Sequence, residues 1–396
     1  MLNKVKIFYS RDYFNDPLSF FTILFLIINS GFFIKHYFII CPIYISFYIS
    51  LIVLTFLIFT RKNITIPQSF LIGLITIGYL VLTQIGPNVR IWSWLSAICT
   101  IAFYIIGIIF LQNLSFKQII CVSNAFLLYN FILYLADTLY RFALFKFNLI
   151  NIFINFYEMK DSCFIFGDTN ALAINTTTLG MFAFYLYNKT KKNIYRLYCI
   201  LFSILTLFSF SRAAILAIIM FIGLYYAFKS IKTIIQTKLK CFYQLPFQLF
   251  TIYFALLIAL IISIPITIKI INFLMNDGSF GTKINIINEI FLFFNKASFS
   301  QIFYGIGFDN AEGFVGMYAH NYLATYIIET GIIGFSLVTL FLLRILYETP
   351  RTIYILFPFC IYGISYIGYS ILNLFYVTLA LMWYLEHYSK KDVADE

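Results

Sequence analysis

Charged residues are scarce in this sequence. They make up 11% of the chain, whereas a soluble domain contains about 25%. Residues of the apolar set make up 62%, against about 45–50% in a soluble domain. A water-soluble protein with this composition could not cover its own surface with polar side chains. The composition therefore excludes a set of soluble domains and predicts that most of the 396 residues lie in a lipid bilayer.

The short motifs of many soluble enzymes are also missing. The sequence contains no P-loop, no Gly-x-Ser-x-Gly and no His-Glu-x-x-His pattern. The Gly-x-Gly at Gly305 and Gly307 lacks the third glycine and the βαβ context of a dinucleotide site. The seven cysteines are scattered without a Cys-x-x-Cys pair, so they are interpreted as small apolar side chains. The sequence thus predicts neither a metal site nor a cofactor.

Long apolar runs dominate the chain. A helix needs about 20 mostly apolar residues to cross a bilayer, and about twelve runs are candidates for such helices. The runs are continuous rather than alternating, which favours helices over a barrel. The predicted fold is an all-α polytopic membrane protein, with 1–396 forming one domain. Its predicted spans are 18–34, 37–59, 66–84, 91–111, 118–140, 169–188, 194–210, 213–228, 247–268, 320–343, 352–369 and 371–387.

The basic residues orient these spans. Lys and Arg number 27 against 16 Asp and Glu, which gives a net charge of +11. If the N-terminus is cytoplasmic, 18 of the 27 basic residues fall on the cytoplasmic side, as the positive-inside rule requires. Both termini are then predicted to be cytoplasmic, and the basic arm before the first span predicts a retained signal-anchor. Topology therefore explains most of the positive charge, and no nucleic-acid partner is expected.

Two outer loops are long under this topology. One covers about 141–168 and the other about 269–319, which has the mixed composition of a folded extramembrane region. Arg141, Lys146 and Lys160 in the first loop are expected to be solvated charges. Lys283 lies on an amphipathic stretch of the second loop, and it is either another solvated charge or a ligand of an anion.

Arg212 is the strongest functional candidate. It lies between two apolar runs, in FSFSRAAILA. A guanidinium near membrane depth is unfavourable and usually has a partner or a function. Its planar fork suits phosphate oxygens, and together with Lys283 it could neutralise a diphosphate. The alternative is a helix-end arginine whose side chain reaches the outer headgroups.

Polar residues also stand where two spans begin on the outer side. His320 opens the span in YAHNYLATYIIETGIIG, with Asn321 beside it and Glu329 further along. A histidine there could accept a proton from a substrate hydroxyl, or it could be an interfacial hydrogen-bonding residue. Asp168 and Asn170 lie where the outer loop enters the sixth span. They are either ordinary helix caps or ligands of sugar hydroxyls.

Four segments together resemble the O-antigen polymerase and ligase superfamily. FSFSRAAILA at 208–217 is similar to its Ser-Arg signature, and YGIGFDN at 304–310 to its Gly-x-Gly segment. AHNYLATYIIETGIIGF at 319–335 is similar to its His-Asn…Glu-x-Gly-x-x-Gly signature, and GDTNALA at 167–173 to its Asn-containing entry into a middle span. The order, the spacing and the outward placement agree. The resemblance covers about residues 165–340.

This resemblance implies a membrane glycosyltransferase of the bacterial inner membrane. Its members take a glycan from undecaprenyl diphosphate on the periplasmic face, without a nucleotide sugar and generally without a metal. Arg212 would hold the diphosphate, with Lys283 as a point charge where family members often carry a second arginine. His320 would be the base or would position the acceptor hydroxyl. The supporting residues would be Asn321, Glu329, Asn170, Asp168, Gly305 and Gly307.

The favoured interpretation is an O-antigen polymerase in lipopolysaccharide biosynthesis. It would extend a carrier-linked repeat unit and work with a separate chain-length regulator protein. The alternative within the family is an O-antigen ligase, which transfers the glycan to the lipid A core. The alternative from another class is a polysaccharide flippase or transporter. The two halves of the chain show no matching repeat and the long outer loop is asymmetric, which argues against transport.

Overall fold

The computed structural model describes residues 20–24, 44–45, 47–53, 66–84, 91–238, 288, 290–315, 321–363 and 372–387. Within these ranges the chain is helical and forms no strand, which confirms the predicted all-α character for this part of the protein. The predicted span 247–268 lies outside the described residues. Also described only in part are the loop 269–319 and the spans 18–34, 37–59, 320–343, 352–369 and 371–387.

The helices with defined bounds follow one another along the chain, and a 3-10 turn at Pro350–Thr352 joins the eleventh to the twelfth. They are α1 Gln68–Thr83, α2 Ile91–Leu111, α3 Phe116–Leu144, α4 Leu149–Ile154, α5 Phe156–Asp161, α6 Thr169–Thr190, α7 Asn193–Leu207, α8 Arg212–Lys238, α9 Phe299–Tyr304, α10 Ala311–Val315, α11 Tyr322–Glu348, α12 Ile353–Tyr362 and α13 Asn373–His387.

Three helices in the described part of the chain are long and apolar enough to cross a membrane. They are α2, α3 and the portion Ala324–Glu348 of α11. The helices α1 and α7 and the portion Arg212–Ala227 of α8 are apolar but shorter. The described residues therefore have the long apolar helices of a membrane protein, as the composition predicts.

Two hydrogen bonds show how α1 and α11 run relative to each other. The backbone N–H of Ser69, at the start of α1, donates to Glu348 Oε1 at the end of α11 (2.9 Å). The hydroxyl of Tyr79, near the end of α1, donates to the carbonyl of Thr330 in the first half of α11 (2.9 Å). The two helices are therefore antiparallel, and the start of α11 lies beside the end of α1.

The carboxyl ends of α6 and α13 meet around Glu386. Its Oε1 accepts hydrogen bonds from Lys189 Nζ (3.3 Å) and from Arg351 Nη1 (2.9 Å). Arg351 lies in the 3-10 turn that follows α11. The Tyr384 hydroxyl on α13 donates to the carbonyl of Leu114, just beyond α2 (2.6 Å). The carboxyl ends of α2, α6, α11 and α13 thus share one side of the bundle, named here the basic end. The amino ends of α6 and α11 lie at the opposite end.

Aromatic side chains pack these helices together. Tyr322 of α11 lies edge-on against Phe359 of α12, with 5.3 Å between ring centroids. Phe359 in turn stacks on Phe375 of α13 at 4.4 Å. The Tyr362 hydroxyl of α12 lies 3.0 Å from Thr178 Oγ1 of α6. All five side chains are buried, so burial of aromatic surface fixes the relative positions of α6, α11, α12 and α13.

The helix bounds differ from the predicted spans mainly at their ends. Helix α2 begins and ends where the apolar run 91–111 predicts. Helix α3 begins before the predicted 118, because Ser115 and Gln118 form a capping box that satisfies its first N–H groups. It also continues to Leu144, beyond the predicted 140, and so carries Arg141 within a regular helix. The predicted loop 141–168 contains the short helices α4 and α5, which hydropathy does not detect.

Candidate functional site

A buried ion pair lies near the end of α3. Arg141 Nε contacts Asp137 Oδ2 at 2.8 Å, and both side chains are fully buried. The expectation that Arg141 is a solvated charge is therefore wrong. Because α3 continues to Leu144, Arg141 lies one helical turn after Asp137 and faces the protein interior. A charge buried in this way requires a partner and further hydrogen bonds.

The ion pair has such hydrogen bonds, and they join separate segments of the chain. Arg141 Nη1 donates to the carbonyl of Phe208 (3.1 Å), and Nη2 donates to Thr138 Oγ1 (3.2 Å). Asp137 Oδ1 accepts from the backbone N–H of Phe164 (2.9 Å). The end of α3 is thus tied to the turn after α7 and to the segment before α6. We name this meeting of α3, α6, α7 and α8 the junction end of the bundle, and it lies opposite the basic end.

The turn between α7 and α8 is tightly hydrogen-bonded. Ser209 Oγ donates to the carbonyl of Thr206 (2.6 Å) and accepts from the backbone N–H of Ser211 (3.2 Å). Phe210 has a φ of 56°, which is uncommon for a residue with a side chain and persists only where the surroundings hold it. Arg212 follows as the first residue of α8. Its side chain is exposed, although Ser211 beside it is buried.

Arg212 belongs to a group of charges at the junction end. Lys160, on α5, is partly buried, and burial lowers the pKa of its ammonium group. The negative charges of Asp168 and Asp161 oppose this shift in the pKa, whereas the positive charge of Arg212 adds to it. Charges have such an effect only over short distances, so all three residues lie near Lys160. We name Lys160, Asp168 and Arg212 the charged cluster. It brings together two residues that the sequence singles out and a lysine that was expected to be only solvated.

Asp168 acts as the helix cap of α6, and Asn170 lies in the first turn of that helix. Asp168 Oδ1 accepts from the backbone N–H of Asn170 (2.8 Å), so that Asp168 is the N-cap of α6. The Asn170 amide also donates from Nδ2 to Asp168 Oδ2 (3.3 Å). The capping interpretation is therefore confirmed for Asp168, whereas Asn170 lies within the helix. The same geometry holds the Asp168 carboxylate at the amino end of α6, beside the rest of the charged cluster.

Gly305 and Gly307 contact the backbone of α11. Gly305 has a φ of +83°, and a Cβ there would lie 2.1 Å from the carbonyl oxygen of Glu329. Gly331 interrupts α11 with a φ of +70°, and a Cβ there would lie 2.3 Å from the carbonyl oxygen of Phe303. The N–H of Gly307 donates to the Glu329 carbonyl (3.1 Å). Only glycine permits this close approach. We call the pairing of Gly305 with Gly331 the glycine contact.

Glu329 and Asn321 have structural partners near this contact. The Glu329 side chain is 2% exposed, and its Oε1 lies 3.5 Å from the backbone N–H of Ala311, the first residue of α10. Asn321 is the N-cap of α11, and its Oδ1 accepts from the backbone N–H of Ala324 (3.1 Å). The Glu329 contact helps to hold the segment 305–311 against α11, and Asn321 caps the start of that helix.

The predicted site residues thus fall into two described groups. Arg212, Asp168 and Asn170 lie at the charged cluster, and Gly305, Gly307 and Glu329 lie at the glycine contact, with Asn321 at the start of the same helix α11. His320 and Lys283 lie outside the described residues. Among the residues that the structure describes, no group of three or more His, Cys, Asp or Glu could hold a metal ion.

Asp137 was missed by the sequence analysis, and the roles of Arg141 and Lys160 were misjudged. An acidic residue four positions before a basic one, inside an otherwise apolar run, is the signal that could have identified Asp137 and Arg141 as partners. Nothing local in the sequence reveals that Lys160 lies near Arg212, because 51 intervening residues, which include α6 and α7, separate them.

No family model matches the sequence, and neither a curated protein nor a solved structure matches it. The fold and the site by themselves define a helical protein with long apolar helices and a charged cluster at one end of its bundle.

Proposed function

We propose that this protein is an O-antigen polymerase. It transfers a glycan from undecaprenyl diphosphate to a hydroxyl of another undecaprenyl-diphosphate-linked repeat unit, at the periplasmic face of the inner membrane. The observation that carries this proposal is the charged cluster, in which an exposed Arg212 and the nearby Lys160 lie at one end of an apolar helical bundle. The remaining predicted spans and the large loop 269–319 complete about twelve crossings of the membrane.

The two ends of the bundle suit opposite sides of a membrane. Lys189, Arg344 and Arg351 lie at the basic end, which the positive-inside rule assigns to the cytoplasm. The junction end then faces the periplasm. A polyprenyl tail stays in the lipid while its diphosphate reaches the membrane surface. This orientation would put the charged cluster near the membrane surface, where a lipid-linked diphosphate would be bound.

The chemistry requires charge stabilisation more than it requires a proton donor. The bond between the anomeric carbon and the diphosphate oxygen breaks, and the electron pair leaves with the diphosphate. Preorganised cations stabilise the charge that develops on this leaving group. The Arg212 guanidinium binds two phosphate oxygens at once, and the amino end of α8 adds the positive end of a helix dipole. Lys160 and Lys283 supply further positive charge.

The acceptor hydroxyl forms the new glycosidic bond and loses its proton. His320 accepts this proton or orients the hydroxyl. It directly precedes Asn321, whose side chain caps α11. Glu329 and the glycine contact keep the neighbouring segment 305–311 against that helix. These residues act as supports for the site rather than as reacting groups.

The test is elongation by the purified protein in lipid, with a carrier-linked repeat unit as the only glycan. Longer chains on the same carrier support a polymerase, whereas transfer only to a lipid A core acceptor indicates a ligase. Arg212→Ala and His320→Ala are expected to abolish elongation while the protein inserts normally. Arg344→Ala, at the basic end, is the matched control and retains elongation. Wild-type chain lengths in the Arg212→Ala variant would contradict the proposal.

A further inference from the structure

We propose that Asp137 and Arg141 are positioning residues that set the geometry of the charged cluster. This inference rests on the proposed function, because it gives the pair the task of directing Arg212 toward a diphosphate. Both side chains are fully buried, so neither would touch the substrate. They act through the two segments of backbone that they hold.

The first segment leads to Arg212. Arg141 Nη1 donates to the carbonyl of Phe208, four residues before Arg212. The carbonyl belongs to the turn in which Ser209 bonds both to Thr206 and to the N–H of Ser211. A shift of Phe208 would therefore move the start of α8, and with it the exposed guanidinium of Arg212.

The second segment leads to Asp168. Asp137 Oδ1 accepts from the backbone N–H of Phe164, four residues before Asp168, with the N–H of Ile165 at 3.4 Å. Both sides of the charged cluster are thus held by one ion pair. The separation of Asp168 from Arg212 depends on the geometry of Asp137 and Arg141.

The bonding of this pair differs from that of an arginine–carboxylate pair that links two helices. Arg344 and Glu348 on α11 have the same spacing of four residues, and Arg344 Nε lies 3.1 Å from Glu348 Oε1. Glu348 contacts Ser69 on α1, and Arg344 lies over the ring of Tyr347 in its own helix. Asp137 and Arg141 instead join two loop segments that both lead to charged residues. A buried ion pair adds little net stability compared with apolar packing. Its role here is therefore better explained by the positions of the two backbone segments that it holds.

The experiment uses the full chain in lipid nanodiscs and measures affinity for farnesyl diphosphate, a short soluble polyprenyl diphosphate. Asp137→Asn removes the charge, and Thr138→Val removes one acceptor of Arg141 but keeps the ion pair. Asp137→Asn is expected to weaken binding about tenfold and Thr138→Val about twofold, as for the loss of bonds to a charged group. Glu348→Gln is the matched control and leaves the affinity unchanged.

A double-mutant cycle with Arg212→Ala separates positioning from general damage. If the pair acts through Arg212, Asp137→Asn causes no further loss of affinity in the Arg212→Ala background. Amide hydrogen exchange in 208–213 should also become faster in Asp137→Asn and Thr138→Val, but not in Glu348→Gln. Should Asp137→Asn fail to fold, Thr138→Val carries the same cycle.

The outcomes that contradict the inference are distinct from those that contradict the function. Equal losses of affinity from Asp137→Asn with and without Arg212 would overturn positioning, and so would wild-type affinity in both Asp137→Asn and Thr138→Val. Wild-type affinity in Arg212→Ala would instead overturn the proposed diphosphate site itself. The positioning inference would then be wrong as well. The affinity of the Arg212→Ala variant therefore shows whether the proposed function or only the positioning inference has failed.

Discussion

The two ends of the bundle both contain arginine–carboxylate pairs, but the pairs lie in different surroundings. At the junction end, Asp137 and Arg141 have no exposed side-chain surface. At the basic end, 28% of the Arg344 side chain and 54% of the Arg351 side chain are exposed. The local spacing in α3 and α11 is the same. The two pairs therefore differ in burial and not in spacing.

The difference shows how placement changes the energetics of one chemical motif. An exposed ion pair contributes about 0–1 kcal/mol, because water solvates either charge when its partner is lost. A buried charge without its partner is strongly destabilising, because water cannot replace the lost contact. The basic end can lose a charge and keep its structure. At the junction end, removal of Arg141 would leave Asp137 buried without its cation.

The largest expected effect separates the two pairs directly. Arg141→Ala leaves Asp137 buried and without its cation, and it should lower the free energy of unfolding by about 3–5 kcal/mol. Arg344→Ala should lower it by at most about 1 kcal/mol. Denaturant unfolding in detergent micelles, followed by circular dichroism, measures both. Equal losses in the two variants would remove the basis of the comparison.

A second test asks whether tight geometry, as well as charge, distinguishes the segments next to the junction end. Gly331→Ala forces a Cβ against the Phe303 carbonyl at a positive φ, and it should cost about 2–3 kcal/mol of unfolding free energy. Gly78→Ala on α1 is the control, because no heavy atom lies within 4 Å of its Cβ position. That change should be neutral or stabilising, since alanine favours a helix. Thermal unfolding of the two variants would show the difference, and a tolerated Gly331→Ala would rule the glycine contact out as a constraint.

A smaller effect is expected at the basic end itself. Glu386→Gln removes the carboxylate shared by Lys189 and Arg351, and both cations keep access to solvent. Arg351 is 54% exposed but Lys189 only 13%, so the expected loss is about 1–2 kcal/mol, still below that of Arg141→Ala. High salt should reduce the loss further, because mobile ions screen exposed pairs. Unfolding at two ionic strengths tests this, and a loss as large as that of Arg141→Ala would show that the basic end is not tolerant.

The smallest effect concerns pH at the charged cluster. Burial holds the pKa of Lys160 below its ordinary value of 10.5. Between the lowered pKa and 10.5 the unfolded chain binds more protons than the folded chain, so the free energy of unfolding contributed by Lys160 rises with pH. Lys160→Met should lose this rise, whereas Lys146→Met, at an exposed lysine, should keep it. The measurement is the free energy of unfolding of each variant from neutral to alkaline pH. Identical pH profiles for Lys160→Met and the wild type would contradict the buried position of this lysine.

Apolar patterning predicted the helices better than it predicted their connections. The run 91–111 coincides with α2, because a helix buried among others has no polar face to blur its limits. The runs 194–210 and 213–228 correspond to α7 and α8, although α8 continues to Lys238. The short helices α4, α5, α9 and α10 were not predicted, since they contain too few residues to show a period.

The candidate site was predictable only in part. Arg212 and Asp168 were singled out because a charge beside an apolar run is conspicuous in the sequence. The ion pair beneath them depends on Phe208 and Phe164 coming to the end of α3, which no local pattern reveals. The interruption of α11 at Gly331 was not predicted for the same reason, because it accommodates the backbone of Phe303 and Gly305, which is distant in the sequence.

The glycine contact restricts how these two segments can diverge. Main-chain atoms of Glu329 and Gly331 occupy the Cβ position of Gly305, and main-chain atoms of Phe303 and Gly305 occupy that of Gly331. A second substitution elsewhere cannot relieve such a clash, since no side chain can be trimmed to make room. Random mutagenesis under selection for the folded protein should therefore recover glycine at both positions in most survivors. The two glycines, 26 positions apart in the sequence, therefore act as a single constraint on the backbone.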